Sequence, residues 1–149
     1  MSTIIKTNSE NKAFQQLVIE LDKELAIRDG DEHAFYDQFN KITTIKHVIV
    51  VFEKEIAVGC GALKEYDANT MEIKRMYVPI HKRGQGIASM VLQELERWAK
   101  ELGYSKCILE TGVNQPEAIG LYKKNRYTII PNYAQYAEME NSVCFEKVL

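Results

Sequence analysis

Two glycines separated by one residue lie between a strand-like segment and the most regular helical pattern of the chain. Residues 71–78 predict a strand, and the loop Arg83-Gly84-Gln85-Gly86-Ile87-Ala88 then leads directly into the helix. Apolar residues recur along that helix on one face, at Ile87, Val91, Leu95, Trp98 and Leu102. Glycines at a helix start let the backbone approach a phosphate, which the free N–H groups can bind. The loop therefore predicts an anion site, although a plain connection between strand and helix is the simpler alternative.

The remaining hydrophobic patterns predict one mixed domain over residues 1–149, a length that suits a single core. The predicted elements, in chain order, are an edge strand at Ile4 and Ile5, a helix over about 10–27, a short helical stretch with Phe35, Tyr36 and Phe39, strands at 48–52, from Ile56 and at 71–78, the helix after the glycine loop, a strand at 106–111, a helix from Pro116 to about Asn125, and closing strands at 127–130 and 143–148.

Short motifs predict how some of these elements begin, bend and end. Thr7 and Glu10 have the spacing of a capping box at the start of the first helix. Gly59 and Gly61 within a strand pattern indicate a bulge or a close approach of another element. Gly103 suits the position just after the end of the helix that follows the glycine loop.

Composition excludes several classes of protein. The net charge of −2 argues against a dedicated nucleic-acid binder, and no apolar run is long enough to span a membrane. The N-terminus lacks the apolar core of a secretory signal. The three cysteines form no CxxC pair and, as free thiols, predict a cytoplasmic location. The histidines have no metal-ligand spacing, so no metal is expected.

Two segments together resemble a known family. Glu72-Ile73-Lys74-Arg75-Met76-Tyr77-Val78, followed by the glycine loop, is similar to motif A of the GCN5-related N-acetyltransferases (GNAT). Asn114-Gln115-Pro116-Glu117-Ala118-Ile119-Gly120-Leu121-Tyr122-Lys123-Lys124 is similar to motif B. The resemblance covers roughly residues 45–149 and implies an α/β fold with a central mixed, mostly antiparallel sheet flanked by helices. It also implies transfer of an acetyl group from acetyl-CoA, as co-substrate, to a primary amine.

The resemblance assigns the cofactor contacts residue by residue. The end of the fourth strand, at Met76, Tyr77 and Val78, would meet the pantetheine arm, with backbone groups of Met76 and Val78 pairing with it. Backbone amides of the glycine loop would surround the pyrophosphate. Those loop residues are Arg83, Gly84, Gln85, Gly86, Ile87, Ala88 and Ser89. Asn114 would contact the cofactor near its thiol end.

Two positions depart from the family pattern. Pro79 comes one residue earlier than the usual proline, which predicts a locally altered loop with the phosphate site kept. The glycine that often precedes the aromatic residue after motif B is missing from Asn125-Arg126-Tyr127. Because Asn tolerates the left-handed conformation better than Arg does, we expect the turn to shift onto Asn125.

Acetyl transfer to an amine needs a base for the ammonium proton and an acid for the leaving thiolate. Glu72, on the strand that would present the thioester, is the candidate base, and its alternative role is to orient the substrate. Tyr122 stands where the family often has the general acid, and its alternative role is packing beside Ile119. Glu110, at the end of its strand, is a weaker candidate base.

Rival functions remain open from the sequence. Gly84, Gly86 and Ser89 followed by Glu110 superficially fit a dinucleotide-binding fingerprint, but the third glycine is missing. A non-catalytic acyl-CoA-binding module on the same fold is a second alternative.

The acceptor side is the least specified. A small metabolite or amino-acid-like amine acetylated by direct transfer is the first choice, and a protein or peptide amine is the second. An acidic turn is expected to attract the amine, and the alternative is a solvated turn between two helices. Arg28 and His33 could instead hold an acceptor carboxylate, and Tyr133 and Tyr136 either line the pocket or cover the core. The acidic turn comprises Asp29, Asp31, Glu32 and Asp37. The sequence does not specify the oligomeric state and allows a homodimer.

Overall fold

The structure is a computed structural model that describes residues 2–32 and 45–149. The short helix predicted around Phe35, Tyr36 and Phe39 lies outside the described residues. The described strands are β1 (Ser2–Thr7), β2 (His47–Glu53), β3 (Ile56–Asp67), β4 (Thr70–Tyr77), β5 (Lys106–Gly112), β6 (Thr128–Ile130) and β7 (Ser142–Val148). The described α-helices are α1 (Lys12–Asp29), α2 (Ile87–Glu101) and α3 (Pro116–Lys124), with short 3-10 turns at Gly30–Glu32, Ile80–Lys82 and Ala134–Tyr136.

The seven strands form a single sheet in the order β1-β2-β3-β4-β5-β7-β6. Every neighbouring pair is antiparallel except β4 and β5, which run parallel. The prediction of a mixed, mostly antiparallel sheet flanked by helices is confirmed. In the described part of the chain, no helix combines the length and apolar character needed to cross a bilayer.

Each face of the sheet has its own apolar core. Phe14, Leu17, Val18 and Leu21 of α1 pack against one face, over Val48, Val50, Cys60 and Ala62. The opposite face carries α2 and α3, with Val91, Leu92, Leu95 and Tyr122 packed against Ile49, Leu63, Leu109 and Phe145. The face of α2 that contacts the sheet carries the predicted Ile87, Val91 and Leu95, with Trp98 partly buried against the same core. Leu102, which was predicted on this face, is exposed and follows the last residue of the helix, Glu101.

The two glycines of β3 let α2 approach the sheet closely. A Cβ at Gly61 would lie 2.6 Å from Met76 Sδ and 2.8 Å from Leu95 Cδ1, and one at Gly59 would lie 2.6 Å from Ile87 Cγ2. The β3–β4 register also shifts between Cys60 and Ala62. Both the predicted bulge and the predicted close approach are present.

Two local predictions are wrong. Thr7 and Glu10 do not form the capping box, because α1 begins later, at Lys12, and the side-chain oxygen of Asn11 accepts the Phe14 N–H at 2.9 Å. The turn after α3 does not shift onto Asn125, whose φ is −89°. Arg126 takes the left-handed conformation with a φ of 71°. Gly103 does follow the α2 end as predicted, with a φ of 96°.

The central feature for function is a split between β4 and β5. The two strands pair through Glu72 and Ile108, and the register gives no β5 partner to β4 residues beyond Glu72. Arg75, with a φ of 57°, lies where the β3–β4 register shifts, so β4 is bulged at this point. The strands therefore diverge and leave an opening in the middle of the sheet.

Candidate active site

A cavity of about 430 Å³ occupies the split between β4 and β5. It is walled by the second half of α1, the bulged end of β4, the glycine loop, the first turn of α2 and much of α3. Glu72, Lys74, Glu110 and Tyr122 all face it, together with Met76, Tyr77 and Val78. The structure therefore brings both predicted catalytic residues and the predicted end of the fourth strand to one cavity.

The glycine loop forms one end of this cavity. Gly84 and Gly86 have φ values of 79° and 81°, a conformation that L residues rarely adopt. Gly86 is the N-cap of α2 and offers no side-chain cap, so the first-turn N–H groups of Ile87, Ala88 and Ser89 have no intrahelical acceptor. These N–H groups and the positive end of α2 suit a pyrophosphate.

Arg83 is held in place by three contacts. Its Nε donates to the Val78 carbonyl at 2.7 Å, its Nη2 donates to Glu24 Oε1 at 2.8 Å, and the guanidinium lies 5.6 Å from the Tyr77 ring centre. The Arg83 backbone N–H donates to the Ile80 carbonyl at 3.2 Å. Arg83 therefore contributes charge to the loop, while its amide is used within the loop.

Two of the predicted cofactor contacts lie away from the cavity wall. Gln85 is exposed in the loop between its glycines and does not line the cavity. Asn114 instead exchanges hydrogen bonds with Arg28, donating from Nδ2 to the Arg28 carbonyl at 3.4 Å. Its neighbour Gln115 lines the cavity from the same loop.

Glu72 is buried on β4 and both of its carboxylate oxygens have neighbours. The Tyr133 hydroxyl donates to Oε2 at 2.7 Å, and Lys74 Nζ lies 4.0 Å from Oε1. The Lys74 side chain is 8% exposed, and burial lowers its pKa while the charges of Glu72 and Glu110 raise it. Glu72 is thus an acceptor and counter-ion in a buried network.

Glu110 occupies a different environment on β5. Burial raises the pKa of Glu110 to about 7, against the opposing effects of a hydrogen bond from Ser142 and the charge of Lys74. The charges of Asp29 and Glu72 add to the increase. Ser142 Oγ donates to Oε2 at 2.8 Å. A carboxyl with this pKa can exchange a proton near neutral pH, as a general base must.

Tyr122 projects from α3 into the cavity and is 6% exposed. Its ring packs against Tyr127 and Phe145 at centroid distances of 5.8 and 5.7 Å. Burial, followed by the charge of Glu110, raises the pKa of Tyr122. Tyr122 therefore stays protonated at neutral pH.

The acidic turn is only partly described. Asp29 lines the cavity, Glu32 accepts a hydrogen bond from Asn141, and His33, Asp37 and the side chain of Asp31 lie outside the described residues. Arg28 forms ion pairs with Glu24 and Glu117. Its guanidinium is therefore engaged with protein groups rather than free for an acceptor carboxylate.

Of the two tyrosines after β6 that were expected at the pocket, Tyr136 lines the cavity and Tyr133 does not. Tyr136 is 2% exposed, and Tyr133 contacts both Tyr136 and Tyr66 edge to face. Lys74 and Ser142 belong to the polar network of Glu72 and Glu110, although no role was predicted for either of them. Lys74 lies two residues after Glu72 on one strand, so the period of two could have placed it beside Glu72; Ser142 carries no such local signal.

No cysteine lines the cavity, and the described residues contain no group arranged as a metal site. Cys60, Cys107 and Cys144 are unpaired and buried, and burial raises their pKa values to about 12, 12 and 11. None of the three lines the cavity. Within residues 2–32 and 45–149, no cluster of His, Cys, Asp and Glu has the arrangement of a metal site.

Comparison with known proteins places this geometry among acetyltransferases. The sequence model of the acetyltransferase (GNAT) family matches residues 13–126. The IAA acetyltransferase of Azospirillum brasilense is 30% identical over 149 residues, covering 99% of this chain and 97% of that protein.

Two solved structures share the fold. A Klebsiella pneumoniae protein proposed to be an acyl-CoA N-acyltransferase superposes with a TM-score of 0.83 at 27% identity, covering 100% of this chain and 98% of that one. A GNAT family acetyltransferase from Elizabethkingia anophelis, with acetyl-CoA bound, has a TM-score of 0.72 at 21% identity, covering 99% and 98% of the two chains. The second likeness concerns the fold alone.

Proposed function

Because this chain belongs to the acetyltransferase (GNAT) family and is an acetyl-CoA-dependent N-acetyltransferase, we propose that it acetylates a small primary amine, of a metabolite or an amino-acid-like acceptor, by direct transfer. Bound acetyl-CoA supplies the activated acetyl thioester. The chain itself must hold the cofactor, attract and deprotonate the amine, and protonate the leaving thiolate.

The observation that carries the proposal is the separation of charge along the cavity. At the glycine-loop end, Lys82, Arg83 and Lys124 line the wall, where Arg83 pairs with the lining residue Glu24 and Lys82 pairs with Glu53. At the other end, the three carboxylates of Asp29, Glu72 and Glu110 line the cavity with one cation, Lys74, and the charges of Asp29 and Glu72 raise the pKa of Glu110. A cavity polarised in this way favours an anion at one end and an ammonium at the other.

For the cofactor, the residues present fit a CoA ester. The unpaired edge of β4 after Glu72 offers backbone groups to an extended arm, as a neighbouring strand would. The left-handed Gly84 and Gly86 turn the loop so that the α2 N-terminus faces the cavity. Met76, Val78 and the amides of Gly84, Gly86, Ile87, Ala88 and Ser89 are the proposed binding groups, while Gln85 and Asn114 do not line the cavity.

For proton removal, Glu110 fits better than Glu72. A base must be ionised and free to accept a proton, and the pKa of Glu110 of about 7 matches that need. Glu72 already accepts a hydrogen bond from Tyr133 and lies beside Lys74. We assign Glu72 the role of holding the acceptor ammonium and of raising the pKa of Glu110 through its charge.

For protonation of the thiolate, Tyr122 is the proposed acid. Its hydroxyl remains protonated because burial raises its pKa, and the side chain reaches the cavity from α3. Direct transfer, without an acetylated cysteine, is supported by the position of all three cysteines away from the cavity wall and by their raised pKa values. Those unpaired thiols also support a reducing location such as the cytoplasm.

The walls around the carboxylate end support a small acceptor. Tyr133 contacts Glu72, and the apolar side chains of Leu21 and Leu25 line the same cavity together with Tyr136. The test is release of free CoA thiol from acetyl-CoA with matched panels of small amines, free amino acids and short peptides. Higher kcat/KM for small amines or amino acids is expected, whereas a preference for peptides would contradict the proposed acceptor class.

A further inference from the structure

Asn125, at the end of α3, joins that helix to the first turn of α2. It is 8% exposed, and its Nδ2 donates to the Leu121 carbonyl at 2.9 Å and to Ser89 Oγ at 3.1 Å. Ser89 lines the cavity in the first turn of α2. One buried amide therefore connects the two helices that border the glycine-loop end of the cavity.

The direction of the Asn125–Ser89 hydrogen bond follows from the Leu121 contact. A backbone carbonyl can only accept, so the side-chain atom facing Leu121 must be the NH₂ group of Asn125. The same NH₂ group faces Ser89, so Ser89 Oγ accepts and its hydroxyl hydrogen points elsewhere. A serine near a helix start can otherwise turn its hydroxyl onto a nearby backbone carbonyl, which would remove the donor from the site.

We propose that Asn125 is a positioning residue that fixes the Ser89 hydroxyl as a donor toward the pyrophosphate of acetyl-CoA. This inference rests on the proposed cofactor site at the glycine loop. Asn125 carries no charge and does not line the cavity, so it acts through the orientation of Ser89 and the spacing of the two helices.

The test compares two thioesters, acetyl-CoA and S-acetylpantetheine, which lacks the pyrophosphate. The measured quantity is kcat/KM for acetyl-CoA divided by kcat/KM for S-acetylpantetheine. Ser89→Ala is expected to lower this ratio roughly tenfold, since the lost hydrogen bond is to a charged group. That change equals about 1.4 kcal/mol. Asn125→Leu replaces the amide with an apolar side chain of similar size and should lower the ratio severalfold. In a protein that already carries Ser89→Ala, Asn125→Leu should lower the ratio little further.

The outcomes separate positioning from a purely structural role. The inference is overturned if Asn125→Leu lowers turnover equally with both thioesters. It is also overturned if Asn125→Leu lowers the ratio by the same factor in the wild-type and Ser89→Ala backgrounds. Should Asn125→Leu fail to fold, Asn125→Met fills similar space with a flexible side chain and is measured in the same way. An unchanged ratio in Ser89→Ala overturns the inference without any Asn125 variant, whereas a wild-type enzyme that does not prefer acetyl-CoA contradicts the proposed cofactor site itself.

Discussion

The hydroxyl of Tyr133 donates to Glu72 Oε2 at 2.7 Å, so a residue from the loop between β6 and β7 is fixed to the carboxylate of β4. Both side chains belong to the network at the carboxylate end of the cavity, and Tyr133 also packs edge to face on Tyr136. The bond occupies one of the two carboxylate oxygens of Glu72. Glu110, on the neighbouring strand, has the pKa of about 7 that proton transfer needs.

Glu110→Gln is expected to lower kcat/KM at neutral pH by roughly 10²-fold, the size of a general-base contribution. In the wild type, the Glu110 base becomes active as pH rises through about 7, because only its ionised form accepts a proton. The pH profile of kcat/KM should therefore show an inflection near that value. The inflection should vanish in Glu110→Gln, with activity recovering at alkaline pH as free amine accumulates.

Glu72→Gln is the matched control for that experiment. It should keep the inflection but move it to lower pH, since the charge of Glu72 helps to raise the pKa of Glu110. Its main kinetic effect should be a higher KM for the acceptor. Loss of the inflection in Glu72→Gln, with the inflection kept in Glu110→Gln, would return the base role to Glu72.

Lys74→Met tests the same network by removing its positive charge, whereas Glu72→Gln removes a negative one. The charge of Lys74 lowers the pKa of Glu110, so its removal should move the inflection in kcat/KM to higher pH. Activity at neutral pH should fall and recover at alkaline pH. A pH titration of initial rates measures the shift, and an inflection that does not move would show that Lys74 and Glu110 are not coupled in solution.

Tyr122→Phe should keep acetyl-CoA affinity and lose roughly 10²-fold in kcat if Tyr122 is the general acid. The ring contacts with Tyr127 and Phe145 do not need the hydroxyl, so the free energy of unfolding should change little. Binding by calorimetry and single-turnover rates separate the two effects. Near-normal single-turnover rates would assign Tyr122 to packing alone.

Gly86→Glu should abolish stabilisation by acetyl-CoA, because it places an anion at the α2 N-terminus where the pyrophosphate is proposed to bind. For the wild type, linkage predicts about 2.7 kcal/mol at a ligand concentration one hundred times the Kd. Gly86→Asn is the control, since Asn tolerates the left-handed φ of 81° without adding charge. Thermal melting with and without acetyl-CoA measures the shift, and a full shift in Gly86→Glu would place the pyrophosphate elsewhere.

Gly61→Ala should destabilise the fold by about 1–3 kcal/mol, the usual effect of overpacking a core. Its Cβ would lie 2.6 Å from Met76 Sδ and 2.8 Å from Val91 Cγ1. Gly120→Ala is the contrast, because Gly120 lies in α3 with nothing within 4 Å of an added Cβ. That change should stabilise by up to about 1 kcal/mol. Urea unfolding distinguishes the two, and equal midpoints would contradict the close approach of α2 to β3.

The sequence by itself determined the features that depend on neighbouring residues. The apolar face of α2, the strands on either side of it and the two left-handed glycines before it follow from local spacing and backbone freedom. The start of α1 shows the limit of such signals, because Thr7 is the last residue of β1 and Asn11 caps the helix instead.

Only the tertiary structure decided which carboxylate is suited to take a proton and which groups serve the cofactor. Glu72 and Glu110 are the same residue type on neighbouring strands, but burial raises the pKa of Glu110 against the hydrogen bond from Ser142, whereas Tyr133 donates to Glu72 from a distant part of the chain. The link from Asn125 to Ser89 likewise joins two helices that are far apart in sequence. A pKa and a hydroxyl orientation are set by burial and by partners in space, and no local pattern of residues encodes either of them.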